Sequence, residues 1–396
     1  MNETREQPRS RGTSYVAMAL LAVAACALVS CSRGPVAGTN AARELRIGIV
    51  SDPRSLNPLF VTAQSDVDIS QLYTETLVGL SPRNKLIPLL ADPVPSRANG
   101  GISRDGLTIT YHLRRNARFS DGYPVTSKDV AFTYHVILDP RNPVTDTDPY
   151  RRRIASLRTP DAHTVVIRLV RPWFAAVTEL FAVSDWVYGI LPAHLFHGAD
   201  IAASPWNERP IGSGPFRVVH WRRGDEILLE PNPYAWRRPR LRRLAIKILP
   251  DQTTLFVALR THDVDVAALT EEEVLQARGL SGIRLTRTPA NHTTYLEFQV
   301  QRPPMNDPLV RRALVEGIDR ERIRKSVFLG LQRLATTEIP PVFSAHDSSL
   351  NRTYQPRRAA DDLDRAGWHL RNGIRYKNGR PLSLLFAYVS TSAQAR

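Results

Sequence analysis

The sequence predicts an α/β fold, and its length allows two domains. Its 396 residues are enough for two hydrophobic cores, and its apolar fraction of 42% is ordinary for a globular protein. Stretches with the period-two alternation of strands and stretches with helical spacing follow one another along the chain. They form neither a regular βα repeat nor an internal duplication. Together these observations indicate a mixed α/β protein.

The charge does not indicate a nucleic-acid partner. The formal net charge is +15, but only five of the 53 basic residues are lysines, and the arginines are spread along the whole chain. No recognition helix or base-stacking platform accompanies them. A compositional preference for arginine explains this distribution, and we expect no nucleic-acid binding.

The N-terminus is typical of an exported lipoprotein. A polar start with three arginines precedes an apolar run at residues 15–29, which is short for a bilayer span. The run ends in Leu-Val-Ser-Cys at residues 28–31, which resembles the lipobox of bacterial lipoproteins. We therefore expect residues 1–31 to be a signal peptide, with Cys31 diacylated as the mature N-terminus and held in the membrane. The alternative is a plain secretory signal that is cleaved elsewhere.

Residues 32–43 are small and aperiodic, which predicts a flexible tether. A chain of this length reaches roughly 20 Å on average. It would hold a folded domain off the membrane without restricting its rotation. The rest of the chain contains no cysteine, so it relies on neither disulfides nor thiolate metal sites.

Between residues 44 and 205 the pattern alternates between strands and helices. Alternation predicts strands, and apolar spacing predicts helices. Thr126 and Asp129 form a capping box that starts one helix. The predicted strands are 45–50, 86–90, 107–113 and 164–169, and the predicted helices are 66–80, 126–138 and 173–181.

A hairpin follows, entered through Gly212-Ser213-Gly214. The two glycines free the backbone, and Pro215 fixes it as the strand begins. The segment lacks the third glycine and the βαβ setting of a dinucleotide loop, so its role is backbone geometry. The predicted strands here and beyond are 216–221, 227–230, 244–249, 264–267, 293–300 and 382–389. The predicted helices are 252–259, 271–278, 309–318, one starting near residue 319, and 357–366.

The sequence shows no sign of catalysis or of a cofactor. A nucleophile elbow, a zinc-binding HExxH helix and a phosphate-cradling loop are all missing from it. His194 and His197 have a spacing that could chelate a metal on a helix, but they lack a nearby Cys, Asp or Glu in the sequence. We interpret them as ordinary surface or core histidines and expect no metal. A membrane-anchored hydrolase, the alternative from another class, would need a clustered nucleophile and base.

Several stretches in fixed order resemble the family 5 solute-binding proteins of ABC importers, which include oligopeptide, dipeptide and nickel binders. They cover almost everything after residue 44. In chain order they are residues 71–77 (QLYTETL), 105–107 (DGL), 119–122 (FSDG), 129–130 (DV), 211–216 (IGSGPF), 232–234 (NPY), 311–314 (RRAL), 318–320 (IDR) and 366–368 (AGW). The sequence departs from the family at residues 261–265 (THDVD), where His262 replaces a glycine that usually supplies a positive φ.

The resemblance implies a two-lobe periplasmic-binding-protein fold, similar to cluster C, with an extra subdomain in the first lobe. The expected boundaries are residues 44–292 for lobe I, about 93–205 for the subdomain, and 293–396 for an incomplete lobe II. We expect the carboxylate that holds the peptide α-amine in peptide binders to lie beyond Arg396, and we expect a truncated chain. The implied partners are a solute, the transmembrane subunits of an ABC permease and the membrane, with a monomeric protein in the cell envelope.

The resemblance favours a receptor that closes on a short peptide between two lobes. The alternatives are a nickel-chelate, opine or other solute, or a truncated product that binds nothing. Candidate ligand contacts come from segments expected to face the cleft, and core or turn packing is the alternative for each. They are Leu56, Asn57, Tyr73, Glu75, Trp186, Tyr188, Ser213, Tyr295, Phe298 and Gln299.

Overall fold

A computed structural model describes residues 44–82, 85–182, 189–196, 200–287, 293–340, 346–350 and 353–387. The expected signal peptide, Cys31 and the tether lie outside these residues, as do Trp186, Tyr188 and His197. In the described ranges no helix is both long and apolar enough to cross a bilayer.

The elements alternate irregularly between strands and helices, as the sequence predicts. The strands are β1 (Glu44–Ile49), β2 (Val78–Leu80), β3 (Leu86–Pro88), β4 (Thr108–His112), β5 (Ile154–Asp161), β6 (Thr164–Leu169), β7 (Phe216–Arg222), β8 (Glu226–Pro231), β9 (Arg243–Ile248), β10 (Val266–Ala267), β11 (His369–Arg371), β12 (Ile374–Lys377) and β13 (Arg380–Pro381). The helices are α1 (Gln64–Tyr73), α2 (Ser127–Leu138), α3 (Asp148–Arg153), α4 (Ala176–Glu179), α5 (Gln252–Arg260), α6 (Glu271–Ala277), α7 (Pro308–Gly317), α8 (Arg320–Ser326) and α9 (Pro356–Arg365).

A five-stranded sheet in the order β10-β1-β9-β8-β7 brings distant parts of the chain together. Strand β10 runs parallel to β1, whereas β9, β8 and β7 are antiparallel neighbours. Helix α1 packs against β7. The core between helix and sheet joins Leu56, Ile69 and Tyr73 to apolar side chains of β7, β8 and β9. The apolar side chains of the predicted hairpin therefore help to bury Ile69 and Tyr73 of α1.

A second sheet in the order β4-β6-β5 belongs to a larger core that runs from Leu59 to Phe196. Tyr111, Phe119 and Tyr150 are fully buried in it. Helix α2 begins as predicted, because Thr126 and Asp129 form the capping box. The predicted helix at residues 173–181 is reduced to the single turn α4.

The predicted helix over residues 66–80 is wrong in its second half. Helix α1 ends at Tyr73, and Val78–Leu80 instead forms β2, which pairs with β3. Leu77 and Val78 are fully buried. Their apolar side chains fit the spacing of a helix, but Val78 starts β2 and Leu77 immediately precedes it. Cross-strand pairing here outweighs local helical spacing.

In the last third of the described chain, α7 and α9 pack on each other, and β11, β12 and β13 form a small sheet. The predicted strand at 293–300 is wrong, as is the described part of the strand at 382–389, since both segments are irregular. An alternating segment becomes a strand only where a neighbour supplies hydrogen bonds, and no described strand pairs with either segment. His262 takes a φ of 61°, so the turn keeps the left-handed backbone without glycine.

Candidate functional site

The Gly212-Ser213-Gly214 loop docks against the C-terminal end of α1. A Cβ on Gly212 would lie 1.9 Å from the Tyr73 carbonyl oxygen, and one on Gly214 would lie 2.5 Å from the Tyr73 carbonyl carbon. The Gly214 amide donates to that same carbonyl oxygen at 2.9 Å. Close backbone approach therefore requires both glycines, as expected for a loop whose role is backbone geometry.

Four of the candidate residues are buried around this contact. Tyr73 donates its hydroxyl hydrogen to the Leu56 carbonyl oxygen at 2.5 Å, and burial raises the pKa of Tyr73 far above its ordinary range. Asn57 donates through Nδ2 to Asn207 Oδ1 at 2.8 Å. Ser213 is 1% exposed, and its hydroxyl has no hydrogen-bond partner among the described residues. Leu56, Asn57 and Tyr73 thus form a framework for the site, and their contact with ligand stays a prediction.

Glu75 differs from these residues because its carboxylate is buried and only one of its two oxygens accepts a hydrogen bond from a described residue. It is 5% exposed, and Oε2 accepts a hydrogen bond from the Trp236 indole at 2.7 Å. No described residue donates to Oε1. Burial raises the pKa of Glu75 from 4.5 to about 7, although the Trp236 hydrogen bond and the positive charges of Arg237 and Arg114 oppose the shift.

Arg114 fixes the position of Trp236. Its guanidinium lies over the indole ring at 4.1 Å from the ring centroid. The same group donates to the Leu89 carbonyl oxygen at 2.6 Å and pairs with Asp92 at 2.7 Å. Because Arg114 is itself held by Leu89 and Asp92, it restricts the Trp236 ring to an orientation in which the indole N–H points to Glu75.

A cavity of about 130 Å³ opens beside Glu75. One wall is the β2–β3 hairpin, with Leu80, Ile87 and Leu89, and another includes Pro215 at the end of the glycine loop. Its polar lining residues are Gln71, Thr74, Glu75, Thr76 and Arg237. Water needs roughly 10–15 Å³ of such volume, so this space holds several waters or a small group of a ligand. A neighbouring cavity near Asn57 and Thr74 measures about 10 Å³, room for about one water.

The remaining candidates are not brought to this site by any described contact. Tyr295 is 68% exposed, Phe298 is half-buried and Gln299 is exposed, all in the irregular segment that replaces the predicted strand. The strand predicted for these three residues is therefore wrong, and their contact with ligand stays a prediction.

Sequence reasoning missed Arg114, Trp236, Arg237 and Asn207. Trp236 follows the Asn-Pro-Tyr turn that closes the hairpin, and that turn was the only available signal. Its partner Glu75 is 161 residues away in the chain. No spacing rule links positions so far apart, whereas the sheet brings them together.

The described residues contain no group of three or more His, Cys, Asp or Glu side chains that could hold a metal ion. His194 lies in a short 3₁₀ helix and its Nε2 is 2.7 Å from Asp121 Oδ2. Its ring stacks on Tyr123 with centroids 4.1 Å apart. The acidic partner of His194 therefore comes from the FSDG turn, 73 residues earlier in the chain.

Curated relatives of this chain include a protein named as a peptide-binding protein of an ABC transporter. Protein XP55 of Streptomyces lividans is 28% identical over 396 residues, covering 98% of this chain and 69% of XP55. A putative ABC transporter peptide-binding protein of Brucella ovis is 30% identical over 302 residues, covering 73% of this chain and 54% of that protein. The chain thus spans between 54% and 69% of the length of these two curated relatives.

Solved structures share the fold. The oligopeptide-binding protein AppA from Bacillus subtilis, in complex with a nonapeptide, matches with a TM-score of 0.69 at 24% identity, covering 85% of this chain and 67% of AppA. NikZ from Campylobacter jejuni, in complex with Ni(L-His), matches with a TM-score of 0.70 at 23% identity, covering 86% and 66%. These matches confirm the predicted periplasmic-binding-protein fold class.

The family model for the bacterial extracellular solute-binding proteins, family 5 Middle, matches residues 85–396, which is most of the chain. This chain belongs to the bacterial extracellular solute-binding proteins of family 5.

Proposed function

We propose that this chain forms part of an extracytoplasmic receptor that binds short peptides and delivers them to the transmembrane subunits of an ABC permease. The observation that carries the proposal is the match of residues 85–396 to the solute-binding family. Relatives named as peptide-binding proteins of ABC transporters, such as the one from Brucella ovis, favour peptides as the solute. No catalytic step is part of the proposed role.

The proposed mechanism is closure of two lobes on the ligand. Residues 44–292 would form the first lobe, with an inserted subdomain at about 93–205, and residues 293–396 would contribute to the second. Ligand contacts made to both lobes exist only in the closed state, so ligand shifts the population toward that state. Hydrogen bonds to the peptide backbone, with side chains in wet pockets, would make recognition tolerant of sequence.

Within the described residues, the Glu75 region has the features expected of a place where a small solute binds. It combines a preformed cavity, a rigidly held indole and a buried carboxylate with one oxygen lacking a described partner. Such a combination of apolar walls and few polar groups is typical of small-molecule sites.

We also propose that Cys31 carries two acyl chains and that residues 32–43 tether the receptor to the membrane. The apolar run and the lipobox-like stop at residues 28–31 support this proposal. A membrane-held, monomeric receptor would stay within reach of its permease.

Calorimetry with a pool of di- to pentapeptides tests the proposed function. The protein should be purified as it is exported by its native host. We expect saturable heat with a negative heat-capacity change, because binding buries apolar surface. Absence of heat with peptides, together with nickel found in the purified protein, would instead favour a nickel-chelate binder.

A further inference from the structure

The cavity beside Glu75 presents two opposite charges that do not contact each other. Glu75 and Arg237 both line it, yet no ion pair joins them in the described structure. Arg237 is close enough for its charge to lower the pKa of Glu75, and its described contact is with the Trp236 ring at 5.5 Å. A space between separated opposite charges suits a ligand that carries both signs.

Each charge is available to a ligand. Glu75 uses Oε2 for the Trp236 indole, and Oε1 receives no hydrogen bond from a described residue, so this oxygen can accept one from a ligand in the cavity. Arg237 is exposed, and none of its guanidinium N–H groups has a hydrogen-bond acceptor among the described residues. Guanidinium groups bind carboxylates through two parallel hydrogen bonds, and ammonium groups bind carboxylates through charge-assisted ones.

We propose that this cavity binds a small zwitterion of the α-amino acid class, with its ammonium group on Glu75 and its carboxylate on Arg237. The hydroxyl of Thr74 donates to Ser70 and that of Thr76 to Val78, so neither needs the ligand. Gln71 is exposed and adds a neutral amide to the lining.

The size of the cavity limits the ligand. Pockets for drug-sized ligands measure roughly 300–1,000 Å³, whereas this one measures about 130 Å³. A glycine- or alanine-sized molecule fits such a space, and a whole peptide does not. The site is therefore additional to a peptide cleft and does not depend on peptide transport.

The protonation of Glu75 gives the site a pH dependence. Burial raises the pKa of Glu75 to about 7, and Arg114 and Arg237 are the charged groups that oppose this rise. Because an ammonium group binds the ionised carboxylate, glycine should bind more tightly above pH 7 than below it.

Saturation-transfer NMR with glycine as the probe tests the proposal on the purified protein. We expect a glycine signal at pH 8. Methylamine, acetate and N-acetylglycine should give weaker signals, because each makes only one of the two contacts. Glu75→Gln should weaken glycine binding about tenfold or more, since it removes a charge-assisted bond. Arg237→Gln should weaken it similarly and should leave methylamine binding unchanged.

Matched controls separate binding from folding. Glu272→Gln and Arg238→Gln change exposed charges outside the cavity and should leave the glycine signal at the wild-type level. The near-ultraviolet circular dichroism of the protein should be retained in Glu75→Gln, since glutamine can still accept the Trp236 indole hydrogen bond. Absence of glycine binding to the wild type, equal binding of glycine and methylamine, or undiminished binding by folded Glu75→Gln would overturn the proposal. Because peptide calorimetry is independent of glycine, its failure and the failure of this site are distinguishable.

Discussion

At the scale of single residues, Glu75 is the most informative side chain in the described structure. Glu75 is 5% exposed, and among the described residues the Trp236 indole N–H is the one group that donates a hydrogen bond to its carboxylate, so ionising it in the folded state is costly. The folded pKa of about 7 lies above the ordinary value of 4.5, so the folded state holds this proton more tightly than the unfolded chain does.

The stability of the protein should therefore fall with rising pH through this one group. Below pH 4.5 Glu75 is neutral in both states and causes no loss. Between 4.5 and about 7 only the unfolded state ionises, which removes up to about 3 kcal/mol of stability, and above 7 the loss is constant. Urea unfolding at pH 4, 6 and 8 should show that the wild type loses up to about 3 kcal/mol relative to Glu75→Gln as the pH rises. Parallel pH profiles for the wild type and Glu75→Gln would contradict the assignment, whereas Glu272→Gln should follow the wild type.

The substitution Gly212→Ala tests the close approach between the glycine loop and α1. Alanine there would place its Cβ 1.9 Å from the Tyr73 carbonyl oxygen, so backbone must move, and we expect a loss of about 3 kcal/mol or more. Gly317 is the matched control, because a Cβ there meets only Ala359 at 3.6 Å. Gly317→Ala, at the end of α7, should change stability by less than about 1 kcal/mol. Equal urea midpoints for Gly212→Ala and the wild type would show that the loop does not dock as described.

At the scale of elements, the contact between α7 and α9 depends on a buried ion pair. Asp362 is 1% exposed and accepts from Arg312 at two points, Nε to Oδ2 at 2.5 Å and Nη2 to Oδ1 at 2.6 Å. The backbone N–H of Gln355 also donates to the backbone carbonyl oxygen of Glu316 at 2.7 Å, which connects the start of α9 to α7. The arginine thereby holds the pKa of Asp362 below its ordinary range.

Removing Arg312 takes away both short hydrogen bonds to the buried carboxylate and leaves it with the longer contact from Arg365 at 3.5 Å. Arg312→Ala should cost about 3–5 kcal/mol and speed hydrogen exchange in α7 and α9. Asp361→Ala, one residue from Asp362 but exposed, should stay within about 0.5 kcal/mol of the wild type. Unchanged exchange in Arg312→Ala would mean that apolar packing alone holds the two helices together.

The elements also show what the sequence can predict. Helix α2 was predictable because its capping box is local, and β6 because its alternation has partners on both sides. Residues 293–300 have equally clear alternation but no described partner, so the same pattern gave a wrong strand. The Glu75 carboxylate was a sequence candidate, whereas its neutralising indole and the stacked Arg114 depend on the sheet and could not be predicted by spacing.

At the scale of the whole molecule, the proposed receptor depends on export and anchoring. If Cys31 is the lipidated N-terminus, Cys31→Ala should release the protein from the membrane fraction, because the two acyl chains supply the stable attachment. Fractionation with mass spectrometry of the mature N-terminus checks this, and Cys26→Ala is the matched control. Membrane retention of Cys31→Ala, or a mature N-terminus elsewhere, would favour a plain secretory signal or another attachment.

Small-angle X-ray scattering with and without a pool of di- to pentapeptides tests the central proposal most directly. A two-lobe receptor that closes on its ligand should show a smaller radius of gyration when peptide is saturating, because closure brings the lobes together. Non-peptide amines at the same concentration should leave the radius unchanged. An unchanged radius in saturating peptide would contradict a peptide receptor that works by closure.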